Sequence, residues 1–190
     1  MKNKIKKTSL AVLVLIFLNS CVLTKNSSSH NTNPVYKENN FDIKGPTNAV
    51  NYIKKYHSIS INEMKRTGVP ASIKLAQAIL ESGYGSSELS TKANNHFGIK
   101  CGSTWKGKSY YLKSRQSCFR AYNSAEESFV EHSNFLKNGS RYDDLFKLKK
   151  SDYKAWAKGL QKAGYATNSD YSSKLIELIE RYKLFQFDNS

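Results

Sequence analysis

The chain has 190 residues, room for one folded domain and an appendage, and carries 30 Lys and Arg against 15 Asp and Glu, a formal net charge of +15. That excess admits three kinds of partner: nucleic acid, an anionic membrane surface or an acidic polymer. No His-Glu-x-x-His, Cys-x-x-Cys or glycine-rich phosphate loop occurs anywhere, which excludes the commonest zinc-hydrolase, dithiol-redox and nucleotide-binding signatures.

In chain order, Lys2, Lys4, Lys6 and Lys7 precede an apolar run from Leu10 to Leu18. The run is too short to span a bilayer as a mature helix, and the pattern reads as an export signal over residues 1–20. An exported chain argues against nucleic acid; a basic face would favour adsorption to a bacterial cell wall, which carries peptide carboxylates, and a solvated basic surface with no single partner is the alternative. Leu18-Asn19-Ser20-Cys21 resembles the lipobox of bacterial lipoproteins, which implies lipidation of Cys21 and attachment to a membrane. An ordinary secretory peptide cleaved nearby is the alternative. Residues 21–46 are rich in Asn, Ser, Thr and Lys, with Pro34 and Gly45-Pro46, and read as a flexible tether.

The folded domain is expected over residues 47–188. Val50, Ile53 and His57 suggest a first helix, with His57 a boundary residue. Ile61 and Met64 suggest a second helix, stopped at Gly68. Pro70 suits the first position of the next helix, where Ile73, Ala76, Ile79 and Leu80 mark a buried face. Gly83 suits a left-handed C-terminal cap. Glu81 thus falls in the last turn, where the helix dipole and apolar neighbours would favour its protonated form. A carboxyl that holds its proton at neutral pH is suited to general acid catalysis. A short helix near Ser87 to Ala93 follows, then the Asn94 to Lys100 loop.

Residues 104–122 turn β-prone, with Trp105, Tyr110, Tyr111, Phe119 and Tyr122, and read as a hairpin lobe turning near Lys113 to Gln116. Its aromatics pack the lobe, with Trp105 the best placed to stack on a ligand. Three cysteines are an odd number for an exported chain. Lipidation of Cys21 would leave Cys101 and Cys118, which flank the hairpin and are free to pair in an oxidising compartment. A metal site with His96 is the weaker alternative, lacking four ligands at recognised spacings. Ser124-Ala125-Glu126-Glu127 is a capping box that makes Glu127 a cap, opening a helix with Phe129, Val130 and Leu136 on its buried stripe and Gly139 as its stop. Ser151 is a further expected N-cap, before Tyr153, Trp156, Ala157 and Leu160, with Gly164 ending that helix. Tyr171, Leu175, Ile179 and Tyr182 mark the last one. The fold class is α+β, mainly α.

Ala76 to Gly85, with its Glu81-Ser82-Gly83-Tyr84-Gly85 ending, and Asn95-His96-Phe97-Gly98-Ile99-Lys100 together resemble the glucosaminidase family of peptidoglycan hydrolases, a variant of the lysozyme fold. The resemblance continues through Trp105-Lys106-Gly107, Cys118-Phe119-Arg120-Ala121-Tyr122 and Ala163-Gly164-Tyr165-Ala166-Thr167, and covers roughly residues 47–188. It implies Glu81 as general acid, Tyr165 as a cleft tyrosine, and Tyr84, Asn95, Phe97 and Trp105 as substrate contacts. No cofactor or metal is expected, and the chain should act as a monomer.

One departure stands out. Many relatives draw a second acid from a turn before the Cys-Phe-Arg motif, and here no Asp or Glu lies between Phe97 and Ala125. Glycosidases ordinarily use two carboxylates. Glu88, or the substrate's own acetamido group oriented by Tyr165, are the substitutes to weigh. The expected function is an endo-β-N-acetylglucosaminidase acting on the β-1,4 bonds of peptidoglycan. The alternatives are a muramidase or lytic transglycosylase, and a non-catalytic glycan-binding lipoprotein.

Overall fold

A computed structural model describes residues 41–190 except 113 and 115. The export signal, Cys21, the tether up to residue 40, and Lys113 and Arg115 in the hairpin turn lie outside the described residues. Helix α1 runs Thr47–Thr67, α2 Ala71–Ser82 and α3 Glu88–Ala93. Strands β1 (Ser109–Leu112) and β2 (Ser117–Arg120) then form an antiparallel pair in which Tyr110 faces Phe119 and Tyr111 faces Cys118. Helices α4 (Ala125–Asn138), α5 (Tyr153–Lys162) and α6 (Tyr171–Arg181) follow, with 3₁₀ segments at Ser140–Lys147 and Leu184–Asn189.

Helix α2 is the centre of the domain. Ten of its twelve residues are buried, so it meets neighbours on every side. Each of Ile73, Leu75 and Ile79 contributes about 1.5–3 kcal/mol by leaving water. Around it pack Tyr52, Ile53 and Tyr56 of α1, Phe129 and Leu136 of α4, Trp156 and Leu160 of α5, and Leu175 and Ile179 of α6. The two strands stand apart as a small lobe. It is pinned to the α3–β1 loop by a disulfide between Cys101 and Cys118 and by a bridge between Lys100 and Phe119.

Two expectations are corrected. Residues 50–67 form one helix. Ile53, His57, Ile61 and Met64 are spaced by four, four and three, a single stripe in phase, and no breaker interrupts it before Gly68. The packed domain also begins earlier than residue 47. Phe41 stacks edge-on against Phe187 at 4.4 Å, Ile43 packs on the core, and Asp42 pairs with Lys183 at 2.7 Å.

Smaller shifts occur at helix ends. Pro70 is the N-cap of α2, one position before the first helical residue. Asp152 caps α5 in place of Ser151, accepting from the Ala155 N–H at 2.9 Å. The α4 box forms with a variation: Ser124 accepts from Glu127 N–H, while Glu127 reaches back to Asn123 N–H at 2.7 Å.

Candidate active site

The site is built where α2 stops. Gly83, Tyr84 and Gly85 all take positive φ, so the chain reverses within three residues. Gly85 is required twice over: its φ is +76°, and a Cβ there would lie 2.9 Å from the Tyr52 ring. Ser82 Oγ ties the reversal together, accepting from Gly85 N–H at 2.8 Å and donating to the Ala78 carbonyl at 2.6 Å. Tyr84, the non-glycine residue in this run, is held by a 2.9 Å hydrogen bond between its hydroxyl and that of Tyr182.

This turn sends successive side chains to opposite sides. Ser82 faces inward to the Tyr52 hydroxyl, which also sits 2.7 Å from His96 Nδ1. Glu81 is exposed and faces a group of phenols. Tyr171, the first residue of α6, accepts a 3.0 Å hydrogen bond from Gln77 Nε2. Burial raises its phenol pKa first, and the neighbouring Glu81 carboxylate raises it further. Tyr165 stacks on Tyr171 with ring centroids 5.5 Å apart. Its pKa is also raised, by burial and then by Tyr171 and Glu81. Both phenols therefore hold their protons at neutral pH and present O–H donors beside the carboxylate. The apolar surroundings expected for Glu81 are instead this phenolic cluster.

Tyr165 is placed by the end of α5. Gly164 takes φ +71°, and Tyr165 N–H closes onto the Leu160 carbonyl at 3.0 Å, which swings the ring back toward α2. Tyr142, from the Ser140–Lys147 segment, completes the wall with its ring 6.3 Å from Tyr165. His132 of α4 meets Tyr165 edge-on at 5.8 Å. Tyr142, Tyr171 and His132 have no signal as site residues in the sequence, because they come from three separate elements that only the tertiary fold brings together.

The other expected contacts divide. Trp105 lies on the lobe with the Arg120 guanidinium 4.5 Å over its ring, and its Nε1 donates to the Lys108 carbonyl. Asn95 is buried scaffold. Its amide donates to the carbonyls of Ile99 and Arg120, and its oxygen accepts from the N–H groups of Phe97 and Ile99. All four of its hydrogen-bonding positions are filled, which leaves none for a substrate. Phe97 is also core, stacked 3.9 Å from His132. Tyr84 lines a cavity of about 680 Å³ between α1, α3 and the start of α4, together with Tyr52, Gly85 and His96. Glu81 does not line that cavity. His96 turns inward to Tyr52 and Cys101 is bonded to Cys118, so neither is set up as a metal ligand. Glu88 is held by the lobe, accepting from the Tyr110 hydroxyl at 2.6 Å.

Comparison with known proteins matches residues 57–184 to the family model described as mannosyl-glycoprotein endo-beta-N-acetylglucosaminidase. The chain is 37% identical over 130 residues to exo-glucosaminidase LytG of Bacillus subtilis, covering 62% of this chain and 45% of that protein. Among solved structures it is similar to the catalytic domain of the autolysin Auto from Listeria monocytogenes, at 32% identity and TM-score 0.63, covering 76% of this chain and 90% of that one. It is also similar to a peptidoglycan hydrolase from Sphingomonas sp. A1, at 33% identity and TM-score 0.62, covering 72% and 91%. The chain spans about half the length of the curated relatives it matches.

Proposed function

The chain belongs to the glucosaminidase family of glycoside hydrolases, and from that premise we propose that it is an exported peptidoglycan glucosaminidase with Glu81 as its general acid. The observation that carries the reading is the placement of Glu81 in the last turn of α2, with the protonated phenols of Tyr165 and Tyr171 beside it. Glu81 protonates the oxygen that leaves the anomeric carbon as the β-1,4 bond breaks. The second group is the acetamido oxygen of the N-acetylglucosamine ring. It attacks the same carbon from the opposite face, and Tyr165 O–H orients it. Water then attacks the anomeric carbon of the resulting oxazolinium ion and restores the acetamido group, with Glu81, now a carboxylate, taking a proton from that water. Lipidation of Cys21 would hold the domain at a membrane surface near the wall, and membrane retention of the full chain on cell fractionation tests that anchor.

The deciding experiment is mass spectrometry of muropeptides released from purified peptidoglycan. Wild-type protein should release fragments ending at the cleaved bond, and Glu81→Gln should reduce release by about 10³-fold or more with its melting temperature unchanged. Activity of Glu81→Gln within a few-fold of wild type removes Glu81 from the chemistry. One observation favours a second reading, a glycan-binding protein without catalysis: the lobe carries no acid between Phe97 and Ala125. Well-folded wild type that binds peptidoglycan and releases nothing establishes that reading instead.

A further inference from the structure

Beside the phenolic cluster lies a pocket of about 270 Å³ that the proposed chemistry does not use. Its walls come from α4, the end of β2 and the Ser140–Lys147 segment, and it includes Arg120, Glu131, Asn134, Arg141 and Tyr142. Tyr142 is the shared partition. Its ring faces Tyr165 on one side and forms the pocket wall on the other. Gly139 keeps that partition in place, because a Cβ there would lie 2.9 Å from the Tyr142 ring and 3.1 Å from the Phe135 carbonyl.

The charges in the pocket are unequally matched. Glu131 is spoken for, paired with Arg120 at 3.3 Å and accepting from Asn134 Nδ2 at 3.1 Å. Arg141 has no carboxylate partner among the described residues. Its guanidinium is spread over the Tyr142 ring, 4.8 Å from the centroid, and 6.0 Å from that of Phe135. The two rings hold the guanidinium at the pocket wall, and a planar guanidinium is the group that receives a carboxylate in two parallel hydrogen bonds. Arg120 adds a second cation to the wall, and its buried Nε–H has no hydrogen-bond partner among the described residues.

We propose that this pocket receives a carboxylate carried by the muramyl residue of the glycan strand, with Arg141 as its counter-charge, and so sets a preference for peptidoglycan over uncharged N-acetylglucosamine polymers. The inference rests on the peptidoglycan reading above and names what selects that substrate. A muramyl ring bears a lactyl ether. Its carboxylate is free when the stem peptide has been removed, and in an intact stem the peptide supplies its own carboxylates. A chitin oligomer has neither. The pocket adjoins the tyrosines that face Glu81, so a ring bound at the cleaved bond can extend its substituent there.

The test is steady-state cleavage of three substrates: chitin oligomers, amidase-stripped glycan strands and peptide-bearing strands. Arg141→Gln should narrow the preference for the carboxylate-bearing strands over chitin oligomers by about tenfold, in KM and not in kcat. The strand type that loses more identifies the lactyl or the peptide carboxylate as the ligand. Arg141→Lys, which keeps the charge and loses the planar fork, should narrow it by about threefold, and it is the variant to read should Arg141→Gln lose its fold. An unchanged preference in the folded variant overturns the proposal. If wild type cleaves none of the three, the hydrolase reading fails separately. Calorimetric binding of the same three glycans then decides the pocket, with loss of preference in the variant expected and an unaltered preference against it.

Discussion

Lys74 shows how far the interior departs from what a single residue announces. It sits in α2 between Ile73 and Leu75 and is fully buried. Its Nζ donates to the Phe129 carbonyl at 3.1 Å and lies 3.1 Å from His132 Nδ1. Among the described residues no carboxylate pairs with it directly, and Glu63 acts on it only from further off. Burial pushes its pKa down to about 7. That value lies below the roughly 10.4 of an exposed lysine, so the unfolded chain binds more protons between the two. Lys74 therefore makes stability rise with pH from about 7 to about 10, and adds no slope below that window. Lys74→Met should remove the rise and, at pH 6, stabilise the domain by about 1–3 kcal/mol. Urea unfolding of both proteins at pH 6 and pH 9 measures this. An unchanged pH slope in the variant means that Lys74 is charged throughout. Nothing in the sequence marks this lysine as buried, since only the complete enclosure of α2 by other elements puts it there.

At the scale of the element, the same helix shows what local pattern carries and what it omits. Its C-terminal end is legible, because Gly83 and Gly85 bracket a turn that few other residues adopt. Its N-terminal end is not. Pro70 supplies no side-chain cap. The cap comes instead from Asp188, whose carboxylate accepts from Ser72 N–H at 2.8 Å and Ser72 Oγ–H at 2.6 Å. A partner 116 residues away leaves no trace in a window of sequence. The 3₁₀ segment that carries Tyr142 is similarly silent, since Ser140–Lys147 lacks the long apolar period of an α-helix. The Ser124 box, by contrast, works over three residues and reads directly. Asp188→Ala should strip two N-terminal groups of α2 of their acceptor and cost about 1–2 kcal/mol. In a domain of this size that lowers the melting temperature by about 3–6 °C, readable by circular dichroism at neutral pH. A melting temperature within about 1 °C of wild type would show that water replaces the cap at no cost. Since the last turn of α2 carries Glu81, the variant should also lose activity beyond its loss of folded protein.

For the molecule as a whole, the helical body and the hairpin lobe divide the work unevenly. Ordered motifs made the family and the lysozyme-like, mainly α architecture legible, and the solved relatives share that fold. The helical body supplies Glu81, Tyr165, Tyr171 and Tyr142, while the lobe supplies Trp105 and Arg120 and no acid. Glu88, the carboxylate weighed as a substitute, spends its side chain holding Tyr110 of the lobe to α3. Glu131, which reaches the lobe from α4, is neutralised by Arg120. With Glu88 and Glu131 both engaged, the reading proposed above takes the substrate's acetamido group as the nucleophile. That route inverts the anomeric carbon twice and so retains its configuration. Direct attack by water on the opposite face inverts it once. Proton NMR of the first product formed from an N-acetylated oligomer should therefore show the β-anomer before mutarotation, and de-N-acetylated oligomers should be cleaved at least about 10²-fold more slowly. An initial α-anomer would remove the acetamido route and require a carboxylate to activate water, with Glu88→Gln and Glu131→Gln as the variants that locate it.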